Sequence, residues 1–218
     1  MARLVDLSHV VEDGLVTYPG LPAPAIDAHL THEQSRGRYA PDTEFHIGRI
    51  TMVANTGTYL DAPFHRFRDG ADLAGLALES LADLPGVAVA VAPGARAIGP
   101  EALPAGELRG RAVLVRTGWS RHFGRPEYFE GHPFLTAAAG AALAGAGAAL
   151  VGIDSLNIDD TRGGERPVHT ALLAAGIPVV EHLTGLEALP ADGFRFFAVP
   201  VKVRGMGTFP VRAFAVLP

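Results

Sequence analysis

Cysteine is absent from the 218-residue chain. Its absence excludes a disulfide framework and any thiolate metal site, so a metal here has to be held by His, Asp and Glu. Long apolar runs are missing too. The Ala-rich stretch from Thr136 to Ile153 is cut by Gly140, Gly145, Gly147 and Gly152, and nothing reaches the roughly 20 uninterrupted residues of a membrane helix. No membrane partner is expected. The opening MARLVDLSHVVEDG meets acidic residues too soon to carry the apolar core of a signal peptide, and a cytoplasmic home is the expectation. Charge is sparse and scattered. With 18 Lys and Arg against 23 Asp and Glu, a net charge of −5, and neither a like-charged block nor a basic stripe, nucleic acid is excluded as the expected partner.

The chain is 48% hydrophobic, with a mean hydropathy of +0.22. It can therefore bury a large core, and its length suits one domain, residues 1–218. The 26 glycines and 17 prolines fall singly between apolar runs rather than in a low-complexity block. RLVDLSHVV reads as an opening strand, and HIGRITMVAN, residues 46–55, as a strand that ends at the stretch ANTGTYLDAPFH. Residues 87–93 (VAVAVAP) and 111–119 (RAVLVRTGW) are continuous apolar runs of the kind found in strands buried on both faces. Small residues between Leu135 and Ala149 suit a helix packed closely on a sheet, which feeds the strand ALVGID at 149–154. A second helix runs from about Val168 to Ala175 and stops at Gly176, ahead of a strand in IPVVEHL at 177–183. FRFFAVPVKV and the terminal FPVRAFAVL close the chain as two more strands. The sum is a mixed α/β fold with much strand and few helices.

Carboxylates and imidazoles gather where these strands end. Asp61 and His65, four residues apart around Pro63, follow the first; Asp154, Asn157, Asp159 and Asp160 follow ALVGID; His169 opens the second helix and Glu181 ends IPVV. In open α/β sheets ligands bind beyond the carboxyl ends of strands, so the pattern predicts one pocket. Asp61, His169 and Glu181 supply two hard oxygens and one imidazole and leave a position for water, the arrangement of a catalytic Zn²⁺ or Mn²⁺ site. The 154–160 loop reads as a solvated acidic rim, from which Asp154 and Asn157 are taken as pocket residues together with Trp119. His9, His29, His32, His46, His122 and His132 are read as structural.

The ordered set ANTGTYLDAPFH, DLS, YPG at 18–20, RTGW at 116–119, GIDSLNID at 152–159, HTALL at 169–173 and IPVVEHL resembles the putative cyclase family of kynurenine formamidases and isatin hydrolases. That resemblance covers nearly the whole chain. It implies a swivelling β/β/α-type fold, hydrolysis of an open or cyclic amide, and a divalent metal. The family signature His-x-Gly-Thr-His-x-Asp-x-Pro-x-His is met at Gly57, Thr58, Asp61, Pro63 and His65, whereas Asn55 and Tyr59 stand in place of its two leading histidines. In the family those histidines and the Asp bind one metal, while the Asp, the later His and the Glu serve a second. The later pair falls on His169 and Glu181. The departure therefore implies one divalent ion, Zn²⁺ or Mn²⁺, held by Asp61, His169 and Glu181. Neutral Asn is a weak ligand, and Tyr has to lose a proton before it binds a divalent ion well.

Three functions follow as expectations. The first is a metal-dependent hydrolase of a small amide, lactam or ester, with His65 taking the proton of water and passing it to the leaving nitrogen. The second is a ring-opening or ring-closing enzyme in which Tyr59 and His65 form the acid/base pair, with Asn55 beside them as a hydrogen-bonding group. A non-catalytic relative that binds a small molecule is the third. Family resemblance and the apolar composition also lead us to expect a homodimer.

Overall fold

The computed structural model describes residues 2–218. In chain order they form β1 (Arg3–Asp6), β2 (Ala25–Leu30), α1 (His32–Ser35), β3 (Ile47–Thr51), β4 (Tyr59–Asp61), β5 (Leu84–Ala90), β6 (Ala97–Ile98) and β7 (Ala112–Arg116). They continue as β8 (Phe134–Leu135), α2 (Ala137–Ala146), β9 (Leu150–Ile153), α3 (Pro167–Ala174), β10 (Val179–Glu181), β11 (Asp192–Phe197), β12 (Thr208–Pro210) and β13 (Phe214–Leu217). The expected mixed α/β fold with few helices is what forms. Nine strands make one sheet in the order β1-β13-β11-β5-β7-β9-β10-β4-β12. Its centre, β5-β7-β9-β10, is parallel, and its flanks are antiparallel. The parallel strands are the continuous apolar runs, because a parallel strand with helices on one face and a core on the other has no wet side to make polar.

β12 and β13 lie near opposite ends of that order, yet only Val211–Ala213 separates them. Three residues span at most ~10 Å. The sheet must therefore curl until its edges meet, and the Leu7 N–H bonding the Ala213 carbonyl at 2.9 Å, with a Ser8–Leu183 bridge, marks that seam. Inside the curl lies one apolar cluster, which includes Leu60, Leu114, Leu150, Val180, Phe194 and Phe196. On the outer face Val113, Val151 and Val179 pack against Leu143 of α2 and Val168 and Leu172 of α3. The two helices approach closely at Gly140, where an added Cβ would stand 3.1 Å from Val168 Cα. No helix among the described residues is long and apolar enough to cross a membrane.

Two sequence expectations need correction. The 46–55 run does not deliver the motif: β3 pairs only with β2 in a separate exposed ribbon, and the motif makes its own short strand, β4, in the main sheet. Period-two patterning does not distinguish a ribbon strand from a core strand, and every residue of β3 is exposed. The terminal FPVRAFAVL is likewise two strands, because residues 211–213 turn across the seam.

Gly207 precedes β12 and lies under the turn that follows β4. Its carbonyl accepts the Ala62 N–H at 2.7 Å, and a Cβ there would stand 2.3 Å from the backbone nitrogen of His65. Backbone cannot rotate away as a side chain does. Gly207→Ala should destabilise the protein by ~1–3 kcal/mol, read as a lowered thermal midpoint; an unchanged midpoint would show that the turn carrying His65 is not held by this contact.

Candidate active site

Cross-strand register assembles the site. Antiparallel pairing sets Tyr59 opposite Glu181 and Asp61 opposite Val179, while β12 sets Thr208 opposite Asp61. Residues directly opposite point to the same face, and so do residues two apart on one strand. Tyr59, Asp61, Glu181 and Thr208 therefore share the face on which α3 lies, and α3 brings His169. All five side chains are buried.

Asp61 Oδ1 accepts the hydroxyl proton of Thr208, while Oδ2 has no hydrogen-bond partner. Thr208 has spent its one proton, so it must accept from the Nδ1–H of His65, 2.8 Å away. This leaves the lone pair of His65 on Nε2, on a half-exposed ring at the cavity wall. The imidazole of His169 is fixed in the same manner. Its Nδ1 lies 2.7 Å from Asp159 Oδ2, and the Asp159 carboxylate also accepts the backbone N–H groups of Val168 and His169. One carboxylate thus caps the start of α3 and turns Nε2 of His169 inward, 3.6 Å from Asp61 Oδ2 and 3.5 Å from Glu181 Oε1. Asp61, His65 and His169 each offer a ligand atom, and these lie within 4.8 Å of one another.

Glu181 is held at both oxygens. Oε1 accepts the Ile158 N–H at 2.7 Å, and Oε2 accepts the Tyr59 hydroxyl at 2.7 Å and the Asn157 amide at 3.4 Å. Behind Tyr59 the hydrogen bonds continue: His182 Nε2 is 3.3 Å from the Tyr59 oxygen, and His182 Nδ1 is 2.9 Å from the Tyr128 hydroxyl. Because Tyr59 donates to a carboxylate, the protons all point one way, from Tyr128 through His182 and Tyr59 to Glu181.

Burial sets the charges. It pushes Glu181 up to about 7, helped by Asp61 and opposed by His169. At Asp61 burial also works upward, but His169, His65 and Thr208 outweigh it and hold the carboxyl below its ordinary value. For His169 burial disfavours the cation, yet Glu181, Asp159 and Asp61 raise its pKa to about 10. Burial and the neighbouring charges of Glu181 and Asp61 drive the Tyr59 phenol well above 10.0, so it stays a neutral donor. His182 is pushed down to about 3 by burial and stays neutral too.

A cavity of about 300 Å³ opens over these groups, lined by Asn55, Tyr59, His65, Asn157, His169 and Glu181 from the sequence-derived set, with Tyr18, Leu21, Arg66 and Arg166 added. Asp61 lies beneath. Two expected pocket residues lie elsewhere. Asp154 accepts the Thr117 and Gly118 N–H groups and the Thr117 hydroxyl, pinning the turn after β7. Trp119 faces a different cavity and donates its indole N–H to the Tyr128 carbonyl at 3.0 Å. The acidic loop is not a solvated rim: Asp154, Asn157 and Asp159 are buried, and only Asp160 pairs outward, with Arg162 at 2.6 Å. Asp159 and Thr208 were the missed residues. Asp159 carried a signal, a carboxylate before a Pro-led helix; Thr208, 147 residues from Asp61, carried none.

The donor set fits a divalent cation. An orphaned, buried carboxylate oxygen faces an imidazole nitrogen at 3.6 Å, too far for a hydrogen bond. That spacing is what ligands about 2.0–2.2 Å from one ion show between themselves, roughly 3.4 Å in a tetrahedral site. Asp61, His169 and Glu181 thus share one buried face of the curled mixed sheet, beside α3.

Comparison with known proteins agrees. Residues 5–160 match the family model described as putative cyclase. The chain is 30% identical over 213 residues to the kynurenine formamidase of Salinibacter ruber, covering 96% of this chain and 95% of that protein. It is 28% identical over 210 residues to that of Bacillus cytotoxicus, with 96% and 95% covered. Among solved structures, isatin hydrolase A from Ralstonia solanacearum superimposes with a TM-score of 0.85 at 23% identity, over 100% of this chain and 92% of that one. Isatin hydrolase A from Labrenzia aggregata, bound to benzyl benzoate, gives 0.83 at 23% identity over 99% and 94%. The chain belongs to the putative cyclase family and has its fold.

Asp159 offers a direct test of the geometry. Asp159→Asn keeps the shape but can present an amide N–H to His169 Nδ1, which favours the tautomer with its lone pair turned away from Asp61. Divalent-metal affinity, read by calorimetry, should fall ~10–100-fold. Unchanged affinity would mean that His169 is not oriented through Asp159.

Proposed function

We propose that the chain hydrolyses a small amide with one divalent ion, Zn²⁺ or Mn²⁺, seated by Asp61, His169 and Glu181. It is a hydrolase acting on C–N bonds other than peptide bonds, as its kynurenine formamidase relatives are by name. The observation that carries the ion is the partnerless Asp61 Oδ2 facing His169 Nε2. Bound there, such an ion supplies Lewis acidity, polarising a carbonyl and lowering the pKa of water toward ~7. The chain's own groups do the rest. His65, its Nδ1–H committed to Thr208, presents the Nε2 lone pair that takes a proton from water and returns it to the leaving nitrogen. Asn157 and Tyr59 hold the Glu181 carboxylate in place, and Asn55 lines the wall beside Tyr59.

This assigns Tyr59 a positioning role rather than that of the acid, because its proton is given to Glu181 at 2.7 Å. Tyr59→Phe should therefore weaken metal binding by ~10-fold or more while leaving kcat at saturating metal within a few-fold. A kcat loss of ~10²–10⁴-fold at saturating metal would instead make Tyr59 the acid of the ring-opening reading. Elemental analysis after metal loading should return one ion per chain. Two ions, or none with any metal tried, would overturn the single seat.

A homodimer is part of the same proposal. An isolated two-stranded ribbon is marginal in water, yet β2 and β3 carry Ile26, Ile47 and Ile50, each at least 43% exposed. Burying this ribbon against a second copy would remove that cost. Light scattering at micromolar concentration should give twice the 22.8 kDa chain mass; the monomer mass would refute it.

A further inference from the structure

A second cavity, of about 200 Å³, shares no lining residue with the one over Asp61. Val91 and Thr117, the residues that follow the adjacent parallel strands β5 and β7, both line it. It therefore opens beyond the carboxyl ends of parallel strands, where ligands bind in open α/β sheets. Pro93, Pro133 and Trp119 add apolar wall. Its charged lining is of one sign: Arg96 and Arg121, with no Asp or Glu beside them among the described residues.

An arginine kept at a surface for solubility is free in water, but Arg96 is not. Its guanidinium carbon stands 5.8 Å from the centroid of the Phe134 ring, only 35% of its side chain is exposed, and its Nε is buried with no acceptor. A buried donor left unpaired costs free energy and calls for a partner. The carboxylate nearby, Asp160, is 3.9 Å away and already held by Arg162 at 2.6 Å. By contrast, Arg36, Arg49, Arg195 and Arg212 each hold a carboxylate at 2.6–2.8 Å. Arg121 pairs with no carboxylate among the described residues, and its Nη1 donates to the Gly118 carbonyl at 2.7 Å, which holds it at the turn that carries Trp119. Asp154, bonded to Thr117 on the cavity wall, is engaged by two backbone N–H groups and a hydroxyl. Two guanidinium groups thus meet at one cavity without an acid committed to them.

We propose that this cavity is a second ligand site, separate from the seat of the ion, and that it takes a small organic carboxylate. Guanidinium presents planar pairs of N–H donors that match a carboxylate, and such charge-assisted bonds are about twice as strong as neutral ones. Val91, Pro93, Pro133 and Trp119 suit an apolar body, which a bare phosphate lacks. A volume of about 200 Å³ lies below the usual range for ligand pockets and limits that body to a single ring or a short chain. The site stands independently of the reaction carried out over Asp61.

Trp119 is the one tryptophan of the chain, so its fluorescence reports on this cavity directly. Cyclohexanecarboxylate, the uncharged cyclohexanecarboxamide of the same shape, and inorganic phosphate are titrated into the metal-loaded protein. The carboxylate should change the emission saturably, with half-saturation at roughly 10 mM or below, and the amide and phosphate should bind ~10-fold more weakly or not at all. Arg96→Gln and Arg121→Gln should each weaken carboxylate binding ~10-fold or more. Chelation of the ion should leave that binding unchanged, because the ion is seated in the other cavity. No saturable change with the carboxylate, equal binding of the amide or of phosphate, or a response at parent strength in either variant overturns the proposal. A response lost together with the ion overturns it as well, by assigning the signal to the cavity over Asp61. If Arg96→Gln fails to fold for want of its packing on Phe134, Arg121→Gln decides alone, since that exposed side chain gives up a single hydrogen bond.

Discussion

Tyr59 meets Glu181, and Asp61 meets Thr208, because β4 is paired on both sides in one register. Those two ladders place a phenol, two carboxylates and a hydroxyl on one face of the sheet, across β10, β4 and β12. A slip of β4 by one residue would turn Leu60 toward α3 and send Tyr59 and Asp61 into the apolar interior of the curl, where Leu60 now packs beside Val180. The apolar alternation of β4 and the polar site are thus one constraint seen from its two faces. Burying Leu60 and Val180 inside the curl at ~1.5–3 kcal/mol per large side chain favours the same register that presents the ligands outward.

Carboxylates placed at such depth survive because their oxygens are accounted for. Asp159 accepts three N–H groups and Glu181 accepts a backbone N–H, a phenol and an amide, so desolvation is offset by charge-assisted bonds. The exception is Asp61 Oδ2. In a network otherwise satisfied at every carboxylate, one orphaned acceptor is a site rather than a packing fault, since an unpaired buried carboxylate oxygen costs more than a lost hydrogen bond. It faces His169 Nε2 at 3.6 Å, with an atom of His65 in the same group, which is the surrounding of a candidate cation site rather than of a void.

The parallel strands, both main helices and the turn that carries Asp61 and His65 were legible in the sequence because their signals are local. A continuous apolar run, a Gly stop and an Asp-x-Pro-x-His spacing each lie within a dozen residues. What escaped depended on distance in the chain. Thr208 is 147 residues from Asp61 and reaches it only because the sheet curls far enough to set β12 beside β4. Asp159 was seen but assigned to water, since an acidic loop and a buried helix cap have the same composition. Trp119 and Asp154 fall outside the site because the chain after β7 turns at Gly118, whose φ of +73° carries Trp119 toward Tyr128, while Asp154, at the end of β9, is taken up by the N–H groups of Thr117 and Gly118. In the ribbon, the alternation that suggested a core strand lies on an exposed surface.

The space behind the Glu181 carboxylate is filled. The Tyr59 hydroxyl sits between Glu181 and His182, and the chain from Tyr128 to Glu181 fills the space behind the carboxylate with donors that all point toward it. Such a chain polarises in one direction, each bond strengthening the next. It needs His182 to be neutral, with its proton on Nε2, and burial supplies that by holding its pKa at about 3. His182 in turn is set by a backbone φ of +57°, an uncommon conformation for a non-glycine residue, which turns its ring inward immediately after β10. Where an imidazole would present a lone pair, Tyr59 presents a proton, and that proton fixes the Glu181 carboxylate in place.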